Sequence, residues 1–240
     1  MKSVILWLAL LSAVHNANAD LPIPMEYSSA LWKAAVEKRR KSEYLVPTRI
    51  HAISRRLNGA GTVKSEEHEF FSIQYTSSGV AVIHLLHAVK NGRDVTEQNR
   101  QKLVSAREER KEFEKGKTPF DPDMQDRLTL GSPYREKEGD TDLLSFPFTL
   151  LSGEYRFTGI ARITEQEGSP YDARYNPSPL PLFAQLLEIR MFFAAHGEHR
   201  YVVSNVTYRY AGSFLFFRQY GEGSIEIGGW IELSVKPRLE

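Results

Sequence analysis

Cysteine is absent from the 240-residue chain. No disulfide can staple the fold, and the chain lacks the lipid-acceptor cysteine of a bacterial lipoprotein. An excess of charge of one sign is missing too, with 31 Lys+Arg against 30 Asp+Glu. A nucleic-acid binder would show a basic excess. Apolar runs of membrane-spanning length are also lacking. No G-x-S-x-G pentapeptide occurs, so the usual serine-hydrolase elbow is not encoded.

The chain opens MKSVILWLALLSAVHNANA. Lys2 supplies a positive n-region, Val4 to Val14 an apolar core, and Ala17-Asn18-Ala19 a small-x-small cleavage site. This predicts a secretory signal peptide over residues 1–19, cut after Ala19. The expected mature protein is a single domain over residues 20–240, periplasmic and not integral to the membrane. Without Lys2, positive and negative residues balance at 30 each.

EYSSALWKAAVEKRRKSE (26–43) suits a helix capped at Ser28 or Ser29, and Pro47 stops it. TRIHAISRRLNG (48–59) and HEFFSIQYTSSG (68–79) read as strands ending in turn residues. GVAVIHLLHAVKNG (79–92) is apolar on both faces and predicts a central strand. Residues 95–117 hold eleven charges between Glu97 and Lys115, which predicts a solvated helix capped by Thr96, with Asn99 in the capping-box position. Residues 118–142 read as turn-rich and irregular, so 95–142 forms a helical and irregular insertion.

From Leu143 strands return. YRFTGIARIT (155–164) alternates Tyr155, Phe157, Gly159, Ala161 and Ile163 against polar neighbours. GSPYDARYNPSPLP (168–181), with four prolines, reads as a loop. LLEIRMFFAAHGE (186–198) alternates again, and RYVVSNVTYRYAG, SFLFFRQYGEG and SIEIGGWIELSV read as three further strands. Serial strands with short turns predict an antiparallel meander.

That order of elements, with NGRDVT (91–96), YRFTGIARI (155–163), PSPLP (177–181) and GSFLFFRQY (212–220), resembles the LolA/LolB superfamily of periplasmic lipoprotein carriers. The resemblance implies a mainly β (α+β) fold, a half-open antiparallel β-barrel with helices covering the concave side. It further implies a hydrophobic cavity that shields acyl chains of lipoproteins or phospholipids during transport toward the outer membrane. Partners at the inner and outer membranes are implied as well. In such carriers one arginine inside the barrel governs lipid release, and Arg49, Arg55, Arg56, Arg156 and Arg162 are the candidates here. The charged insertion is longer than in the short carriers, so the cargo can differ.

If the carrier reading holds, strand parity nominates Phe157, Ile163, Met191, Phe193, Phe214, Phe216, Ile225 and Ile227 as lipid-binding residues. An inverted parity would nominate the opposite set. No catalytic residue, metal site or cofactor is expected. His84 and His87, three apart, fall on opposite faces unless the strand bulges. Asp121, Asp123 and Asp126 lack the glycine and terminal glutamate of a calcium loop. The basic cluster Lys38-Arg39-Arg40-Lys41 can meet anionic lipid or sit as a solvated helix end. Two competitors remain: a lipid hydrolase on the same scaffold, which needs a His or carboxylate beside a Ser, and a structural envelope protein with a filled core.

Overall fold

Period-two patterning and short turns dominate the chain after Pro47, and the strands they specify assemble edge to edge. The computed structural model describes residues 23–107, 117–180, 184–214 and 217–237. Helix α1 (Met25–Arg40) precedes β1 (Leu45–Val46), β2 (Arg49–Leu57), β3 (Val63–Tyr75), β4 (Ala81–Lys90) and β5 (Arg93–Asp94). Helix α2 (Thr96–Arg107) and a 3-10 turn at Pro122–Arg127 lead to β6 (Leu128–Leu130), β7 (Tyr134–Glu138), β8 (Thr141–Ser152) and β9 (Tyr155–Thr164). The chain ends with β10 (Pro170–Ser178), β11 (Ala184–Ala195), β12 (Tyr201–Phe214), β13 (Phe217–Gly228) and β14 (Ile231–Glu232).

Twelve strands form the main sheet in the order β5-β4-β3-β2-β13-β12-β11-β10-β9-β8-β6, with β7 also paired to β8. The long meander from β8 to β13 thus returns to pair with β2, where Ile225 lies opposite Ala52. The β4–β5 end and the β6–β7 end do not meet among the described residues, so the sheet stays open. The fold is mainly β, a half-open antiparallel sheet with two α-helices among the described residues. No helix among the described residues is long and apolar enough to cross a membrane.

Helix α1 buries Ser28, Trp32 and Ala35, one stripe at helical spacing. The Trp32 ring lies 5.0 Å from both Phe120 and Phe146, and its Nε1 donates to Gln125 Oε1 at 3.0 Å. Half of the basic cluster serves this docking. Lys38 donates to the Glu167 carbonyl at 2.8 Å and to Ser169 Oγ at 2.7 Å. Arg39 donates to Asp121 Oδ1 at 2.8 Å and to the Tyr201 carbonyl at 2.7 Å. The β9–β10 turn passes so close beneath the helix that a Cβ on Gly168 would stand 2.8 Å from the Leu31 carbonyl oxygen, at a φ of +59°.

Register sorts the two faces of the sheet. The inner face carries Leu144, Phe146, Phe148 and Leu150 of β8 toward the core. On the outer face, Glu188, Arg209, Glu222, Arg55 and Glu66 stand opposite one another across β11, β12, β13, β2 and β3, alternating in sign. Arg55 reaches Glu66 at 2.5 Å and Glu222 at 3.8 Å. Exposed pairs of this kind add little stability, but the row keeps this face solvated. Nearer β9 the outer face is drier. Asp172, 1% exposed, accepts from Arg162 at 2.6 and 2.7 Å and from Arg190 at 2.5 Å. Arg162 also reaches Glu138 of β7 at 2.6 Å, tying that short strand down.

Several expectations need correction. β10 runs through the proline-rich stretch expected to be a loop. Pro170 opens the strand, and Pro177, opposite Phe157 of β9, lies beyond the last β10–β11 pair at Tyr175, so on the β11 side no ladder is there for a proline to interrupt. β4 is not central: beyond β3 it pairs only with the two-residue β5, and Ile83 and Leu86 are 42% and 55% exposed. Residues 122–138 contain β6 and β7 rather than irregular chain. Helix α1 starts at Met25, and Ser28 sits inside it, donating to the Met25 carbonyl instead of capping. The β12–β13 junction falls at Phe214 and Phe217, which pair with each other, and not at the glycines. The expected strand SFLFFRQYGEG (213–223) is therefore the end of one strand and part of the next.

Asp172→Ala removes the buried carboxylate shared by Arg162 and Arg190 and leaves them the more exposed Glu138, a loss of about 3 kcal/mol. Urea unfolding should show the midpoint falling accordingly with an unchanged slope.

Candidate functional site

The inner face divides into a filled half and a hollow half. Under α1 and the 118–127 segment, Trp32, Phe120, Phe146, Ile163 and Met124 close the core. Farther along the same strands a cavity of about 240 Å³ remains. Its wall comes from Phe148 and Leu150 of β8, Phe157 of β9, Tyr175 of β10, Leu187, Ile189 and Met191 of β11, Val206 and Tyr208 of β12, and Ile225 of β13. Pro119 and Lys117 roof it, and Ser152 completes the lining.

The strand ladder explains this set. Met191, Val206 and Ile225 stand opposite one another across three strands, and Tyr175, Ile189, Tyr208 and Gly223 form the next row. Gly223 and Gly221 face Tyr208 and Tyr210, and a Cβ on either glycine would stand 2.4 Å from its partner's ring. The glycines let both tyrosines lie across β13, so these positions are packing devices and not turns.

Three nominated residues, Phe157, Met191 and Ile225, line the cavity. Ile163 and Phe193 share their face but lie at the filled end, where Phe193 meets Phe120 edge-on at 5.2 Å. Ile227 is half-buried beyond the lining, opposite Ile50 of β2. Phe216 and the side chain of Phe214 lie outside the described residues, as does the signal peptide. Of the lining residues that were not nominated, Ile189 and Leu187 share the parity of Met191 and were open to the same argument. Tyr175 was hidden by the loop reading of its segment, and Lys117 reaches the cavity only through the tertiary fold.

Beyond β13 the inner face turns polar, with Ala52, Ser54 and Arg56 on β2 and Glu67 and Glu69 on β3. Alternation places Arg56 alone among the five candidate arginines on this side; Arg55 and Arg162 hold ion pairs on the outer face. Helix α2 covers the wing through Asn99, whose amide donates to Glu67 Oε1 at 2.6 Å and to Glu69 Oε1 at 2.9 Å. That contact replaces its expected capping role. Burial pushes the Glu69 carboxyl up from its ordinary value, against the opposing hydrogen bond from Asn99.

A slip of one residue in the β3–β4 ladder brings His84 and His87 onto one face, opposite Ser72 and Phe70. Even so, among the described residues no group of three or more His, Asp or Glu could hold a metal ion. Asp121 and Asp123 are engaged elsewhere, by Arg39 and the Thr118 N–H, and by Lys117.

No protein-family model matches the chain, and no curated protein matches it. Among solved structures, the crystal structure of MucB in complex with MucA(peri) is a neighbour at 9% identity and a TM-score of 0.25, covering 84% of this chain and 94% of that one. A likeness that weak carries no functional argument.

Glu69 binds its proton more tightly when folded than when unfolded, so its contribution to stability is complete below the unfolded carboxylate pKa and is lost as pH rises through the folded value. Glu69→Gln, which keeps the acceptor for Asn99, should melt higher than wild type at pH 7. The two melting curves should converge near pH 3.

Proposed function

We propose that the protein is a periplasmic carrier that takes an acyl chain of a lipid or lipoprotein into the inner-face cavity for transport toward the outer membrane. The observation that supports this is the hollow itself. Ten apolar or aromatic side chains from six adjacent strands surround it, beside a half of the same face that is filled by buried side chains. Burying about ten methylenes there would contribute roughly 8 kcal/mol, which corresponds to micromolar affinity before the cost of immobilising the chain.

The carrier reading is preferred to hydrolysis. Among the described residues that line the cavity there is no histidine and no carboxylate, the groups that serve as base in acyl hydrolysis. The sheet does not close on itself among the described residues, which suits loading and release of cargo. The membrane partners implied for this transport would act at that opening.

Two measurements test the proposal. Val206→Trp fills the cavity from its floor and should weaken a fluorescent fatty-acid probe by about ten-fold or more, with the far-ultraviolet dichroism unchanged. Wild-type protein should move labelled phospholipid between donor and acceptor vesicles, while Ile225→Asp should not. Binding that is indifferent to a filled cavity would overturn the reading.

A further inference from the structure

The cavity wall is almost wholly hydrocarbon, so its few polar atoms define which end of a ligand it prefers. Among the described residues, Lys117 is the one lining side chain that carries a formal charge. Its ammonium is paired with Asp123, whose side chain is 47% exposed. An exposed pair of this kind is held by only about 0–1 kcal/mol. An ammonium also has three donors, of which one carboxylate oxygen takes one. An anionic group arriving from inside the cavity would meet Lys117 where water is scarcer and the attraction stronger.

Tyr175 supplies a second and independent sign. Its side chain lines the cavity and is 6% exposed, yet its hydroxyl donates to the Met191 thioether at 3.6 Å. Sulfur of this kind is a weak acceptor, and a buried phenol ordinarily finds an oxygen or nitrogen partner. Burial, with a smaller push from Asp121, raises the phenol's pKa, so it remains a donor at neutral pH. No carboxylate lines the cavity among the described residues, and Asp121 behind the roof is bound by Arg39.

We infer that the cavity selects a single long chain ending in an anionic oxygen group, a carboxylate or a phosphate, with Lys117 and Tyr175 donating to that end beneath the roof. The inference rests on the cavity being the ligand site. A volume of about 240 Å³, below the roughly 300–1,000 Å³ of drug-sized pockets, suits one chain better than a pair lying side by side. The shared chemistry covers two sources, a free fatty acid and a single-chain lysophospholipid.

Titration of the full-length protein with palmitate, lysophosphatidylglycerol, hexadecanol and dipalmitoylphosphatidylglycerol tests it. Wild type should bind palmitate or the lysophospholipid about ten-fold more tightly than hexadecanol, and whichever of the two anions binds more tightly identifies the source. Lys117→Met should bring palmitate down to the hexadecanol level and leave hexadecanol within about two-fold. Tyr175→Phe should weaken palmitate by about two- to ten-fold while the ligand-free protein melts no lower than wild type. Equal binding of palmitate and hexadecanol by wild type overturns the end-group inference and leaves the carrier reading standing. Equal or tighter binding of the two-chain lipid overturns the single-chain inference. Failure of all four ligands to bind overturns the carrier reading itself.

Discussion

Trp32 is wedged between Phe120 and Phe146, and that contact decides where the molecule is solid and where it is hollow. Through it, one helix and the 118–127 segment are fixed over one half of the inner face. The indole hydrogen bond to Gln125 and the Arg39–Asp121 pair set the direction in which the segment leaves. Pro119 and Lys117 therefore project over the other half as a roof. Loosening the wedge would disturb the core and the cavity together, because the same chain closes both.

The sheet does two different jobs with alternate residues. On β11, Ile189 and Met191 face the cavity, while Glu188 and Arg190 face out to the charge row and to the buried Asp172. A strand bonded on both edges and loaded on both faces is held in register, since a slip of one residue would turn carboxylates and guanidiniums into the hydrocarbon. That constraint allows an open sheet to keep a cavity without collapsing into it.

Much of the architecture was readable from residue spacing. The alternation in 155–164 and 186–195 appears in the structure as β9 and β11 with the expected faces. By that argument Phe157 and Met191 could be nominated for the cavity, with the inverted parity still open. Tyr175 could not, because proline content is a local signal and the harmlessness of Pro177 depends on which neighbour ends where. The glycines of β13 misled for a similar reason. Gly221 and Gly223 look like turn residues, yet they serve the rings of Tyr210 and Tyr208 on the next strand.

By itself, the sequence determined the class of fold, the alternation within most of its strands and the absence of any disulfide, because pleat and periodicity are local. The tertiary structure alone decided how much of the inner face is filled. Ile163 and Phe157 have the same chemistry and the same parity on one strand, yet one is sealed in the core and the other borders empty space. What separates them is the reach of a helix and a segment from elsewhere in the chain, and no periodicity within the strand encodes where those come to rest.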